Sequence, residues 1–277
     1  MSTDALDLDA YFNRIGYTGP RSPTLQVLHD LHRGQIFSIP FENLAIQMGE
    51  PISLGIAEMM AKMVHGKRGG YCFELNGLFS VVLEELGFQV ERLAARVRYG
   101  NPLVAARLHQ LLNVTIDGEH WLADVGFGGN GMIAPIKFIF DKEVEQSGET
   151  FRIKREGAET YVLEALLPDG WLDLYAFTLE PLYRIDYEPA NHYMSTSPQS
   201  PFGQTRIVAL PNPDGRTILV ENELKVRLGG EITTTEVAPG SAYVKALNDY
   251  FGIVIAPNTV FTPLNAKAPP PGQGSGA

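Results

Sequence analysis

The chain has 277 residues, 44% of them hydrophobic and 19% charged, which is the composition of an ordinary folded protein with room for one large or two to three small domains. A formal net charge of −10 excludes the basic face that a nucleic-acid partner would need. One cysteine excludes intramolecular disulfides, no Cys/His cluster has metal-ligand spacing, and no apolar leader or membrane-length apolar run occurs, so the expected setting is a reducing cytoplasm without metal or membrane.

The first third reads as helical. Leu6, Leu8, Tyr11, Phe12 and Ile15 form an apolar face that ends near Gly16. Ser22-Pro23 offers an N-cap and a first-turn proline for a second helix, which carries Leu25, Leu28, Leu31 and Ile36 and breaks at Ile39-Pro40. Phe41-Glu42-Asn43-Leu44 then holds a polar pair between apolar neighbours, and a further helical stretch runs from Ile56 to Val64.

Next comes Arg68-Gly69-Gly70-Tyr71-Cys72-Phe73-Glu74-Leu75-Asn76, around which the rest of the chain is organised. Its two glycines permit a tight, left-handed backbone just before a helical pattern of Phe73, Phe79, Val82, Leu83 and Leu86, which Gly87 closes. Cys72 is thereby expected at a helix N-terminus, where unpaired N–H groups and the helix dipole favour a thiolate. Glu42 and Arg68 read either as an ion pair flanking this nucleophile or as two solvated surface charges.

From Phe88 the period changes to alternation, with β-like segments Phe88–Arg98, Leu108–Ile116 and Glu119–Phe127. Asp117-Gly118 is a strong two-residue hairpin signal. If Ile116 pairs with Glu119, Leu111 faces Asp124 and His109 faces Gly126, so His109 and Asp124 share a sheet face one diagonal step apart. An imidazole–carboxylate bond is within reach there. His29, His32, His65, His120 and His192 have no comparable support and are assigned no role.

Gly126-Phe127-Gly128-Gly129-Asn130-Gly131 resembles a phosphate-cradling loop but lacks the lysine of a P-loop and opens no helical pattern. Further strands are expected at Phe151–Arg155, Thr160–Leu167, Trp171–Phe177, Thr205–Leu210 and Arg216–Val220, with turns at Pro168-Asp169-Gly170 and Asn212-Pro213-Asp214-Gly215. The stretch from Asn191 to Phe202 is too rich in Ser, Thr and Pro for a long element. A last helix is expected over Ser241–Phe251, and the Pro/Gly-rich tail, residues 266–277, is expected to be disordered.

The stretch around Cys72 resembles the nucleophile signature of the arylamine N-acetyltransferases. Ile39-Pro40-Phe41-Glu42-Asn43-Leu44, Arg107-Leu108-His109, Asp124-Val125-Gly126-Phe127-Gly128 and Ser197-Pro198-Gln199-Ser200-Pro201-Phe202 are similar to further family segments in the same order, over roughly residues 8 to 255. The resemblance implies an α+β fold with a cysteine-protease-like catalytic core: a helical bundle over 1–90, a β-barrel over 91–204 and an α/β lid over 205–265. It also implies a catalytic set of Cys72, His109 and Asp124. Phe41, Phe127 and Phe202 are implied as the apolar acceptor pocket, although all three could equally be plain core. Gly126, Gly128 and Gly129 are the candidate contacts for a CoA pyrophosphate.

The expected activity is ping-pong acetyl transfer from acetyl-CoA, through an acetyl-cysteine, to the nitrogen of an arylamine or arylhydrazine. A transglutaminase-like cysteine hydrolase or a macrolactam-forming amide synthase uses the same three residue types and stands as the alternative. The partners are small molecules, and association with further copies of the chain is left open.

Overall fold

Asp7 opens the first helix. Its carboxylate accepts from the Ala10 N–H at 2.9 Å, and α1 (Leu8–Ile15) ends at Gly16 in the left-handed region. The second helix, α2 (Leu25–Ser38), is capped by the Thr24 hydroxyl, which accepts from the Val27 N–H. The cap thus falls beyond the expected Ser22-Pro23 pair, because Thr24 N–H bonds back to Ser22 O and holds Pro23 in the turn that approaches the helix. The computed structural model describes residues 5–99, 101 and 104–267; of the tail expected to be disordered over 266–277, the first two residues instead end α9 (Leu264–Lys267), and the rest lies outside the described residues.

Between these helices and Cys72 lie β1 (Phe41–Glu42), α3 (Leu44–Met48) and α4 (Ile56–Met59). The expected single helix over Ile56–Val64 stops being α-helical at Met60 and widens into a π-helical turn, Met60–His65, closed by Gly66 N–H on Ala61 O at 2.8 Å. Lys62 leaves this turn to meet Glu74 Oε1 at 2.7 Å. Glu74 in turn accepts the Tyr71 N–H at 3.1 Å, one half of a capping box at the start of α5 (Cys72–Glu85). Leu75, Leu78, Phe79, Val82 and Leu83 of α5 are buried, so this helix is the axis of the main core.

Eight antiparallel strands form one sheet that curls toward a barrel: β2 (Gln89–Val97), β3 (His109–Ile116), β4 (Glu119–Ala123), β5 (Ile136–Lys137), β6 (Val144–Gln146), β7 (Glu149–Glu156), β8 (Thr160–Leu167) and β9 (Gly170–Phe177). Their order is β5-β4-β3-β2-β9-β8-β7-β6. The period of two sorts neighbouring residues to opposite faces. Leu111 packs inside the curled sheet with Leu93, Phe151 and Tyr175, whereas Leu112 and Val114 face outward into the core around α5. The hairpin register is the expected one, from Ile116↔Glu119 to Leu112↔Ala123, with Asp117 and Gly118 both at positive φ, 52° and 77°. Strand β4 ends at Ala123 instead of running on to Phe127.

A second sheet has the order β1-β10-β11-β12-β13, with β10 (Ile207–Asn212), β11 (Gly215–Val220), β12 (Glu223–Leu228) and β13 (Glu231–Glu236). Its edge is β1, from the first third of the chain, where Phe41 pairs with Ala209. The expected helix over Ser241–Phe251 is present as α8 and packs Tyr243, Leu247 and Phe251 on Val208 and Leu219. The Ser/Thr/Pro-rich segment does contain a regular element: α6 (Glu188–Thr196), followed by α7 (Pro201–Gln204). Pro189 and Pro201 sit in first turns, where a missing N–H costs nothing, so both prolines start helices here instead of ending them. Among the described residues no helix is long and apolar enough to cross a membrane.

Candidate active site

Three element ends meet at one point. Cys72 is the first residue of α5, His109 is the first residue of β3, and Asp124 follows the last residue of β4. All three are buried, at 3%, 3% and 1% exposure. His109 Nε2 lies 2.7 Å from Asp124 Oδ2. That leaves Nδ1 for a second partner, and Cys72 lines the same cavity as the ring. The thiol also donates to the Leu108 carbonyl at 3.6 Å. The imidazole is fixed by aromatic neighbours, Phe127 at 5.2 Å and Tyr175 at 5.0 Å between ring centroids.

Asp124 is held on every side. Its Oδ1 accepts from Asn76 Nδ2 at 2.9 Å and from the Gly126 N–H at 2.9 Å. Burial alone would raise its pKa, but His109 and these donors hold the carboxyl below the usual range. Burial would likewise depress His109; the Asp124 charge, the hydrogen bond to it and Cys72 prevail and push it up to about 10. A buried histidine–carboxylate pair beside the Cys72 side chain is the result, one that strongly favours a proton on the ring. It can keep a proton ready on the ring, and it can take one back when the ring is neutral.

The loop that presents Cys72 is secured by the segment before α3. Glu42 is fully buried and accepts from Arg68 Nε at 2.9 Å and from the Leu44 N–H at 2.8 Å, so the two charges form an ion pair anchored in the interior through Glu42, with Arg68 partly exposed, and not a solvated surface couple. Glu42 N–H donates to Gly70 O at 2.9 Å, and Gly70 N–H to Pro40 O at 3.2 Å. Gly69 and Gly70 do not adopt the expected left-handed backbone. Closeness is what demands glycine at 69: a Cβ there would come 2.1 Å from the Pro40 carbonyl oxygen. Gly126 is confined in the same way, since a Cβ would meet Asn76 Nδ2 at 2.7 Å and Cys72 Cα at 2.8 Å.

A cavity of about 530 Å³ opens onto Cys72 and His109, with Phe41, Phe127, Met194 and Phe202 in its walls. Phe41 and Phe202 meet edge to face at 5.9 Å. Asn43 keeps Phe202 in place by donating to the carbonyls of Phe202 at 3.4 Å and Thr205 at 2.7 Å. Gly126 and Gly129 also line the cavity, and Gly128 lies against the Phe41 ring. Arg216 of β11 reaches the far side of this loop and donates to the carbonyls of Gly129, at 2.6 Å, and Gly131.

Two residues with clear structural roles escaped the sequence reading. Asn76 donates to Asp124, and its signal was available: it lies four residues after Cys72, on the same face of one helix. His32 accepts the Asp124 N–H at 3.2 Å from ninety-two positions earlier, and no local pattern marks it.

The sequence model of an N-acetyltransferase family matches residues 24–260. The arylamine N-acetyltransferase of Mycobacterium bovis is 38% identical over 258 residues, covering 91% of each chain. That of Escherichia coli is 37% identical over 216 residues, covering 78% of this chain and 76% of its own. Among solved structures, the Mycobacterium abscessus arylamine N-acetyltransferase superposes with a TM-score of 0.86 at 36% identity, covering 91% of this chain and 92% of its own. The Mycobacterium marinum arylamine N-acetyltransferase in complex with CoA gives 0.85 at 36% identity, covering 89% and 93%. The chain therefore belongs to the arylamine N-acetyltransferase family of acyltransferases.

Proposed function

We propose that this protein acetylates arylamines and arylhydrazines by a ping-pong route, with acetyl-CoA as donor and Cys72 as the carrier of the acetyl group. The observation that carries the reading is the chain Cys72–His109–Asp124 at the floor of an apolar cavity. The reading gains support from the names of the relatives and from the CoA-bound Mycobacterium marinum relative. In this account a helical bundle (1–90), a barrel (91–204) and a lid (205–265) combine in a cysteine-protease-like arrangement.

The transfer needs only these groups. His109 takes the Cys72 thiol proton, and the resulting thiolate attacks the thioester carbonyl carbon. The bond from that carbon to the CoA sulfur breaks, the imidazolium gives its proton to the departing CoA thiolate, and acetyl-Cys72 remains. The amine nitrogen then attacks the acetyl carbon, the neutral imidazole takes the amine proton, and the Cys72 C–S bond breaks to release the N-acetyl product. Asp124 keeps the ring oriented and stabilises its positive form in both halves. Phe41, Phe127 and Phe202 would receive the aromatic acceptor. Since the Gly126 N–H is already given to Asp124, the pyrophosphate contact falls to the backbone around Gly128 and Gly129.

Intact mass spectrometry after incubation with acetyl-CoA alone should show one acetyl adduct and free CoA, and Cys72→Ala should show neither. Addition of a simple arylamine should discharge the adduct. An adduct of equal size on Cys72→Ala overturns the assignment. So does cleavage of peptide amides by wild type with no response to acetyl-CoA, which would make the protein a cysteine hydrolase.

A further inference from the structure

His32 takes no part in the transfer chemistry, yet it is fully buried and both ring nitrogens are engaged. The Asp124 N–H, which can only donate, reaches Nε2 at 3.2 Å. The Ile133 carbonyl, which can only accept, lies 3.1 Å from Nδ1. One protonation state satisfies both: Nδ1 carries the proton and Nε2 is bare. A proton on Nε2 would set two N–H groups against each other. Burial pushes His32 down to about 4, against the pull of the Asp124 charge, so the ring is neutral at physiological pH.

The place of this contact gives it meaning. The ladder of β3 with β4 ends at Leu112↔Ala123, so the Asp124 amide has just left the sheet. The Asp124 carboxylate is held by Asn76, Gly126 and His109, while its backbone amide is held by His32. The ring itself is anchored: its edge meets Phe79 of α5 at 5.9 Å, and its other nitrogen is tied to Ile133 in the loop after the glycines.

We propose that His32 is a positioning residue for acyl transfer: as a neutral acceptor it fixes the Asp124 backbone where the chain leaves the sheet, and so aims the carboxylate at His109. Its effect on turnover rests on the transfer chemistry proposed above; its effect on the His109 ring does not. Without this acceptor the Asp124 peptide can rotate, the carboxylate drifts from Nε2, and the imidazolium loses its main support.

Three substitutions separate positioning from packing. His32→Gln sets an acceptor oxygen near the Nε2 position, His32→Asn sets its polar atoms near the Nδ1 position only, and His32→Phe fills the space with neither. Two readouts are taken on each: titration of the His109 ring by NMR with labelled histidine, and single-turnover acetylation of Cys72 by acetyl-CoA. In His32→Phe and His32→Asn the His109 titration should move down from its wild-type position, and acetylation should slow about 10- to 100-fold. The KM for acetyl-CoA should stay within about threefold, and His32→Gln should recover most of both losses. A folded His32→Phe with wild-type titration and wild-type rate overturns the proposal. If His32→Phe does not fold, His32→Gln and His32→Asn decide: equal losses that follow only their melting temperatures overturn it. If wild type itself releases no CoA, the transfer reading fails, and the His109 titrations still decide the role of His32.

Discussion

Asn76 and Asp124 are joined one helical turn behind Cys72. Asn76 Nδ2 donates to Asp124 Oδ1 at 2.9 Å and to the Gln110 carbonyl at 2.6 Å, while Asn76 Oδ1 accepts the Val125 N–H at 3.0 Å. One buried amide thus ties the helix that carries Cys72 to the strand that carries His109 and to the turn that carries Asp124. The placement of Cys72, His109 and Asp124 relative to one another is a consequence of how α5 is docked on the sheet.

Asn76→Ala removes all three bonds and leaves the Gln110 carbonyl and the Val125 N–H buried without this partner. Unsatisfied buried groups cost about 1–3 kcal/mol each, so the variant should lose about 2–6 kcal/mol of stability. Urea unfolding followed by circular dichroism reads this directly. An unchanged midpoint would show that water or a neighbour replaces the amide.

Asp124→Asn keeps the shape of the side chain and removes its charge. Burial then acts on His109 unopposed by a carboxylate, and the ring no longer stays protonated toward pH 10. Turnover should fall by about 10²- to 10⁴-fold, through loss of both the charge and the tautomer. The comparison is between kcat of wild type and of the folded variant; activity within a few-fold of wild type would remove Asp124 from the mechanism.

The same pair sets a pH signature of stability. His109 is raised from 6.5 to about 10, so its contribution is complete below 6.5 and disappears as pH climbs through about 10. Asp124 is lowered from 3.8, so its contribution is complete above 3.8 and fades as pH falls through its depressed value. Both are intact between those limits. The melting-temperature gap between wild type and His109→Gln should therefore be widest near pH 5 to 6 and narrow steadily toward pH 10. A gap that widens with alkalinity would mean that the ring is neutral in the folded protein.

The hairpin was legible because its information is local. Asp117-Gly118 dictates a two-residue turn, and the turn fixes which residues share a face, bringing His109 and Asp124 to one side. Cys72 at a helix start was legible for the same reason. The burial of Glu42 and its pairing with Arg68 were not, since two charges read alike in water and in a core until their surroundings are known. The π-helical turn at Met60–His65 leaves no mark on apolar spacing. Strand β13 was missed because all six of its residues are exposed, so no alternation records a buried face. His32 and Asp124 meet through the tertiary fold alone.

Arg216 supplies the last prediction, because it connects the second sheet to the loop that follows Asp124. It is 3% exposed, and its Nε lies 2.9 and 2.8 Å from the two Glu149 oxygens. Arg227 also pairs with Glu149, and the remaining Arg216 nitrogens donate to the carbonyls of Gly129 and Gly131. Arg216→Leu strips one of two cations from Glu149, which keeps Arg227, and both donors from the loop carbonyls, a loss of about 1–3 kcal/mol for the carbonyls left without them. Arg216→Lys should recover only part of this, since one ammonium cannot span the carboxylate and two carbonyls that the planar fork reaches together. The reacting groups themselves are untouched, so iodoacetamide should alkylate Cys72 at near wild-type rate at a temperature where the variant is folded. The loosened glycine loop should instead raise the KM for acetyl-CoA. Wild-type stability in Arg216→Leu would show that the second sheet does not hold the loop. A slowed alkylation at unchanged KM would place the effect of Arg216 on the Cys72–His109 pair and not on the loop.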